Sequence, residues 1–176
     1  SLYKTDPLMQ KWGNNVIKKA DEIFGEDDYT YPRTGGSFDQ VNLAIDDIVD
    51  ICLAYHLTGN KRYVGRAWRF LKTICELGNW NPGGYLDVGE LSFIVGLGYD
   101  WLYHQFTPEQ RKYLEEILYE KGVHLTDRLY YGELDGKMYI GNDGKNTEYY
   151  TGWWDSENNW NAVCNSGVMA AGVAMA

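Results

Sequence analysis

A cluster of amide side chains stands immediately before an apolar stretch near the end of the sequence. Asn158, Asn159 and Asn161 surround Trp160, and small and apolar residues make up most of the following stretch, 162–176. The pattern predicts a helix that begins at the amides, and a helix that is apolar on every side is expected to be buried all round. Its first turn offers free backbone N–H groups and a partial positive charge. The amides then face an anionic or polyhydroxylated ligand. In the alternative interpretation, Asn158 or Asn159 is only an N-cap, a position that Asn favours.

A second pair of side chains that could take part in chemistry, Asp87 and Glu90, stands at the predicted start of another apolar helix. Carboxylates at this position could bind a sugar hydroxyl or orient a catalytic group. The same spacing also matches a capping box, with Asp in place of the usual Ser or Thr. Both interpretations stay open on the sequence alone.

A long segment rich in glycine and aromatic residues, 132–157, precedes the amide cluster. Structureless segments of this length inside a compact domain are usually functional. Its four clustered aromatic side chains are Tyr149, Tyr150, Trp153 and Trp154. Aromatic faces bind the apolar side of sugar rings. We expect these residues either to form a sugar subsite or to pack the segment onto the helices.

The composition limits the classes of function. The length of 176 residues suggests one domain or part of one. The net charge of −9 argues against nucleic acid as the main partner, and no apolar run reaches the roughly 20 residues of a membrane span. The sequence shows no metal-ligand constellation or cofactor motif. The three cysteines are spread singly and are interpreted as small buried hydrophobic residues.

Helices of two kinds alternate along the chain. Nearly all-apolar helices are predicted to start near Asp39, Asp87 and Asn159, and amphipathic helices near Lys61 and Thr107. This alternation favours an all-α fold, an incomplete (α/α) toroid of helical hairpins with alternating inner and outer helices. The only competing strand signal lies around 137–140. The expected single domain, 1–176, consists of an N-terminal helix and loop (1–37), two helical hairpins (38–131), the long segment (132–157) and an inner helix that is cut short (158–176).

Four phrases in this order and spacing are similar to a known family. They are YLDVGEL at 85–91, GYDWLY at 98–103, TPEQR at 107–111 and NNWNAVCNSG at 158–167. Together they resemble the heparinase II/III-like polysaccharide lyases, over about 38–176. The resemblance implies an incomplete α/α toroid, followed in the family by further toroid and β-sandwich portions of the same chain. It also implies a periplasmic or secreted protein.

The family members are carbon–oxygen lyases that cleave uronic-acid polysaccharides such as heparin, heparan sulfate and alginate by β-elimination. The resemblance implies that Asn159 neutralises the substrate carboxylate, so that a general base can remove the C5 proton. Trp160 stands where several relatives have a histidine. The family's catalytic Tyr and second His would lie beyond 176, so this chain is expected to be inactive alone. The residues expected to bind the acidic polysaccharide are Asn158, Trp160, Asn161, Asp87, Glu90, Tyr149, Tyr150, Trp153 and Trp154.

Two other functions fit the same residues. One is an α/α-toroid glycoside hydrolase with Asp87 or Glu90 as general acid, although hydrolysis normally needs two facing carboxylates. The other is a glycan-binding toroid without catalytic activity. A lyase differs from both because its product is an unsaturated uronate that absorbs in the near ultraviolet.

Overall fold

The computed structural model describes residues 2–24, 41–131, 133, 152–154 and 156–176, apart from the side chain of Asn42, and the backbone of four short strands. The chain is all-α, as predicted, apart from two small antiparallel hairpins. The helices are α1 Pro7–Ile23, α2 Val41–Thr58, α3 Arg62–Glu76, α4 Leu86–Trp101, α5 Pro108–Leu118, α6 His124–Tyr130 and α7 Asn159–Met175. The strands are β1 Arg33–Thr34, β2 Ser37–Phe38, β3 Met138–Ile140 and β4 Asn146–Glu148. Among the described helices, none combines the length and apolarity needed to cross a membrane.

The helix starts follow from capping chemistry. Asp6 caps α1 by accepting hydrogen bonds from the backbone of Leu8 and Met9, both at 2.9 Å. Thr107 and Gln110 form a reciprocal capping box at the start of α5. A proline follows each capping residue, at the position where a missing N–H costs nothing. The start of α5 after Thr107 confirms the sequence prediction.

Three helices, α2, α4 and α7, form one row and run in the same direction. Gly89 of α4 lies against Cys164 of α7, and seven residues later on both helices Gly96 lies against Ala171. Between α2 and α4, the Nε2 atom of His56 lies 3.0 Å from the carbonyl oxygen of Trp101. Ile45 and Glu90, each eleven residues earlier, line one cavity. The first turns of these three helices therefore lie at the same end of the row.

A second row, α1, α3 and α5, covers one side of the first and runs the opposite way. Lys19 pairs with Asp50 at 3.7 Å, while Gly13 lies near Leu57, so α1 is antiparallel to α2. On α5 and the π-helical turn that continues it (Tyr119–Val123), Glu115 accepts a hydrogen bond from Tyr99 and Gly122 faces Ser92. The connection between α2 and α3 is short, which makes these helices an antiparallel hairpin.

The contact between α4 and α7 is the most extensive in the structure. Small residues allow the two backbones to approach, and Gly167 faces the carbonyl group of Gly89. The far side of α7 is uncovered by the described residues, with Met169 67% and Val173 72% exposed. The prediction that this helix is buried all round is therefore wrong. Its apolar composition reflects close packing on one side and an open groove on another.

The core lies between the two rows and contains the cysteines. Cys52, Cys75 and Cys164 are free and buried on α2, α3 and α7, as the sequence predicted. Burial raises the pKa of each thiol to about 12. The thiols therefore stay protonated and unreactive while the fold is intact.

Candidate functional site

A groove runs between α4 and α7 on the side away from the second row. Two adjoining cavities of about 390 and 240 Å³ form it, and they share Phe93 and Ser166. The α4 wall consists of Glu90, Phe93, Leu97, Asp100 and Trp101, and the α7 wall includes Val163, Ser166, Met169, Ala170 and Val173. The spacing of three and four residues on each wall is that of one helix face. The groove is therefore built by two parallel helices, and it begins at the end where their first turns lie.

Asn159 lines neither cavity, but it precedes the α7 wall of the groove by one helical turn. It is the first residue of α7 and stands four residues before Val163 and seven before Ser166, which places it on the groove-facing side of the helix. Its side chain is exposed. Among the described residues, none forms a hydrogen bond with its amide. An amide in this position can donate to an incoming ligand without breaking a hydrogen bond to any described residue.

The neighbouring amides have structural roles. The Asn158 side chain is the N-cap of α7 and accepts hydrogen bonds from the Trp160 backbone at 2.9 Å and from the Ser156 hydroxyl at 3.0 Å. The Asn161 side chain donates to the carbonyl oxygen of Trp154. Trp160 is half-buried and packs against the core. For Asn158 the capping interpretation is therefore right, and Asn159 is the amide of the cluster that faces the groove.

Asp87 and Glu90 do not form a capping box, so that prediction is wrong. The helix α4 begins one residue earlier, after Tyr85, whose backbone is left-handed with φ of 65° and whose side chain makes no cap. Asn81, also left-handed, tightens the preceding turn and donates from Nδ2 to Oδ2 of Asp87 at 2.8 Å. Asp87 is 3% exposed. It braces the turn before α4 and is not available to a ligand in the groove.

Glu90 is the carboxyl group inside the groove. It is half-buried beside Ile45, Phe93 and Val163. Burial, and secondarily the Asp87 carboxylate, raise the pKa of Glu90 above its usual range. Because Gly89 lies against Cys164, Glu90 lies about 9 Å further along the α7 axis than Asn159, at 1.5 Å per residue. A neutral amide thus lies one turn before the α7 wall, and a carboxyl group that retains its proton more readily than usual lies further along the groove.

The aromatic residues predicted as a subsite fall into two groups, since Tyr149 and Tyr150 lie outside the described residues. Trp153 is fully buried and stacks on Tyr85, with ring centroids 4.6 Å apart. The prediction that its ring is open to a sugar is wrong, because the segment uses this ring to attach itself to the start of α4. Trp154 is 48% exposed and packs against Tyr130 at 6.1 Å. Asn161, which donates to the carbonyl oxygen of Trp154, lies on the side of α7 away from the groove wall, and Trp154 lines neither cavity.

The sequence reasoning missed several groove residues. Phe93, Leu97 and Trp101, on one of the helices predicted to be nearly all-apolar, form the apolar wall of the groove. The sequence reasoning also missed the hydrogen bond from Tyr130 of α6 to the side chain of Asn165. The spacing of Asn161 and Asn165 on one helix face was a usable signal for that contact. No family model matches this chain, and no curated protein matches it.

Proposed function

We propose that this chain belongs to the α/α toroid of a polysaccharide lyase and that the groove binds a uronate-containing glycan. The helices of the first row are parallel to one another and antiparallel to those of the second row. This arrangement supports the proposal of a toroid. In such an arrangement the first row faces the centre of the ring. The groove between α4 and α7 is then part of the substrate cleft, and the helix starts form its mouth.

The single observation that carries the proposal is the position of Asn159. Removal of the C5 proton of a uronate requires that the adjacent carboxylate lose its negative charge by strong hydrogen bonding. The Asn159 amide lies in the first turn of α7, where the helix dipole favours an anion, and it provides a neutral donor there. Its neighbours Asn158 and Asn161 are held by the fold, whereas Asn159 is exposed to the groove.

The β-elimination also requires a general base and a general acid. A base takes the C5 proton, the electron pair forms the C4–C5 double bond, and the glycosidic oxygen leaves C4 with a proton from an acid. We assign to this chain the binding and neutralisation of the carboxylate. Glu90, further along the groove, forms a hydrogen bond with a hydroxyl group of a neighbouring sugar.

The experiment compares Asn159→Ala with Asn158→Ala. Binding of alginate and heparan oligosaccharides to the chain is measured by titration calorimetry, and stability by urea unfolding. We expect Asn159→Ala to abolish measurable binding with unchanged stability. Asn158→Ala loses the N-cap, which costs about 1 kcal/mol of stability, and keeps its affinity. If Asn159→Ala binds as the wild type does, or if no uronate glycan binds, the proposal is wrong.

The enzymatic part is tested on the natural protein that contains this chain. A lyase produces an unsaturated uronate, so absorbance in the near ultraviolet rises during digestion. With Asn159→Ala the rate should fall several hundredfold. Reducing ends that increase without this absorbance would show hydrolysis instead and would refute the lyase assignment.

Glycoside hydrolysis is the second candidate, and Glu90 is the observation that favours it. A carboxyl group with a raised pKa is suited to act as a general acid. The described residues do not supply a suitable partner, however. Asp87 is buried and bonded to Asn81. Asp100 lies about 15 Å along the same helix, whereas paired catalytic carboxyl groups lie about 5–9.5 Å apart.

A further inference from the structure

Positive and negative charges are segregated between the two rows of helices. Within the described residues, α2, α4 and α7 contain no lysine or arginine. The lysines and arginines of the helices lie on the second row, on α6 and on the π-helical turn. Several are paired with acids of their own helix, such as Lys72 with Glu76 at 3.4 Å and Lys112 with Glu116 at 3.7 Å. The side that we assign to the substrate is therefore free of cationic side chains along the described helices.

The ionisable groups of the groove are acidic. Glu90 lies about 9 Å further along the α7 axis than Asn159, the exposed Asp100 lies near the far end, and neither cavity is lined by a lysine or an arginine among the described residues. The remaining wall is largely apolar, with Phe93, Leu97 and Trp101 on the α4 side. Such a wall can pack against the apolar faces of sugar rings.

A protein surface that binds sulfate groups needs cationic side chains, which this groove lacks among the described residues. Proteins bind phosphate and carboxylate strongly through arginine and lysine, which form charge-assisted hydrogen bonds, and a sulfate makes the same demand. A sulfated glycan in this groove would have its sulfates near carboxylates and would lose water without gaining a cation. A single uronate carboxylate can be satisfied by the neutral donors at Asn159.

From this charge distribution we infer that the groove selects unsulfated uronate glycans and excludes sulfated ones. The inference rests on the proposed function, because it assumes that the uronate carboxylate binds at Asn159. It adds that selection against sulfate comes from the absence of cations on the first row and from the carboxylates of Glu90 and Asp100.

The test uses two glycans with the same type of backbone and the same length. One is heparin, and the other is heparin that has been chemically desulfated and N-acetylated, so that both contain the same uronates. We expect the unsulfated oligosaccharide to bind at least about tenfold more tightly at physiological salt, the penalty for a like charge held within a Debye length. Added salt should bring the two affinities closer by screening the repulsion of the sulfates.

Ser166→Lys places a cation on the α7 wall and should reduce the discrimination severalfold. Lys112→Ser, on the opposite side of the molecule, is the matched control and should leave it unchanged. Equal or tighter binding of heparin to the wild type refutes the inference and leaves the proposed function intact. Unchanged discrimination in Ser166→Lys also refutes it. If neither glycan binds, the inference is wrong, and the proposed function is wrong as well if alginate also fails to bind.

Discussion

The packing of α4 on α7 gives the sharpest test of the fold, through the substitution Gly89→Ala. A Cβ atom at this position would lie 2.7 Å from Cα of Cys164 and 3.0 Å from the carbonyl oxygen of Val163. Both contacts are with backbone atoms, so a change of rotamer cannot relieve them. Since carbon atoms pack at about 3.5–4.0 Å, α7 must move away by roughly 1 Å.

The expected cost follows from this displacement. A gap of about 0.5–1 Å loses roughly a quarter to a half of the dispersion attraction of the atoms that line it, and overpacking typically costs about 1–3 kcal/mol. Alanine returns about 1 kcal/mol through its higher helix propensity. Because the clash is with backbone atoms, we take about 3 kcal/mol as the overpacking cost and expect a net loss of about 2 kcal/mol in the free energy of unfolding. The groove should widen as well, which weakens glycan binding.

Gly65→Ala is the matched control. Gly65 also lies inside a helix, α3, but a Cβ atom there would meet no other atom within 4 Å. The same chemical change should therefore stabilise the protein by up to about 1 kcal/mol. Urea unfolding at constant m-value measures both. If Gly89→Ala is as stable as the wild type or more stable, α4 and α7 do not pack backbone to backbone, and the groove as described does not exist.

Three further predictions concern single side chains. The raised pKa of Glu90 means that the folded chain holds this proton more tightly than the unfolded chain, so stability falls as pH rises from 4.5 through the folded pKa. Glu90→Gln should therefore be more stable than the wild type at pH 7, with the difference shrinking below pH 4.5, and a pH-independent difference in urea titrations would contradict this. Trp153→Ala should cost about 3–5 kcal/mol, whereas Trp154→Ala should change the stability by less than about 0.5 kcal/mol; equal losses of stability would refute the difference in burial. Thr107→Ala should cost about 1 kcal/mol through loss of the cap of α5, and a shift within error in urea unfolding would refute its role.

Local features of the chain were predictable where the cause is local. Asp6 and Thr107, each followed by a proline, determine the starts of their helices through contacts within one turn. The alternation of apolar and amphipathic helices predicted two kinds of environment, and the free buried cysteines follow from the same pattern. The candidate amide at Asn159 was also found from its place at a helix start.

Features that depend on which separate parts of the chain contact each other were not predictable. The pattern of Asp87 and Glu90 matches a capping box, but the partner of Asp87 comes from Asn81 in a turn with left-handed backbone. Hydropathy makes α7 look buried, yet it does not reveal which neighbour covers which side. The groove exists because Gly89 meets Cys164, a pairing of distant residues that a single sequence does not encode in any local pattern.

The three buried thiols can report the order in which the helices separate during unfolding. Cys52 and Cys164 lie on the first row and Cys75 on the second, and each is buried in the folded protein. An alkylating reagent can modify a given thiol only after its own helix has separated from its neighbours. Mass spectrometry of partly alkylated protein would therefore distinguish detachment of α7 alone, which labels Cys164 first, from a concerted opening that labels all three at one rate.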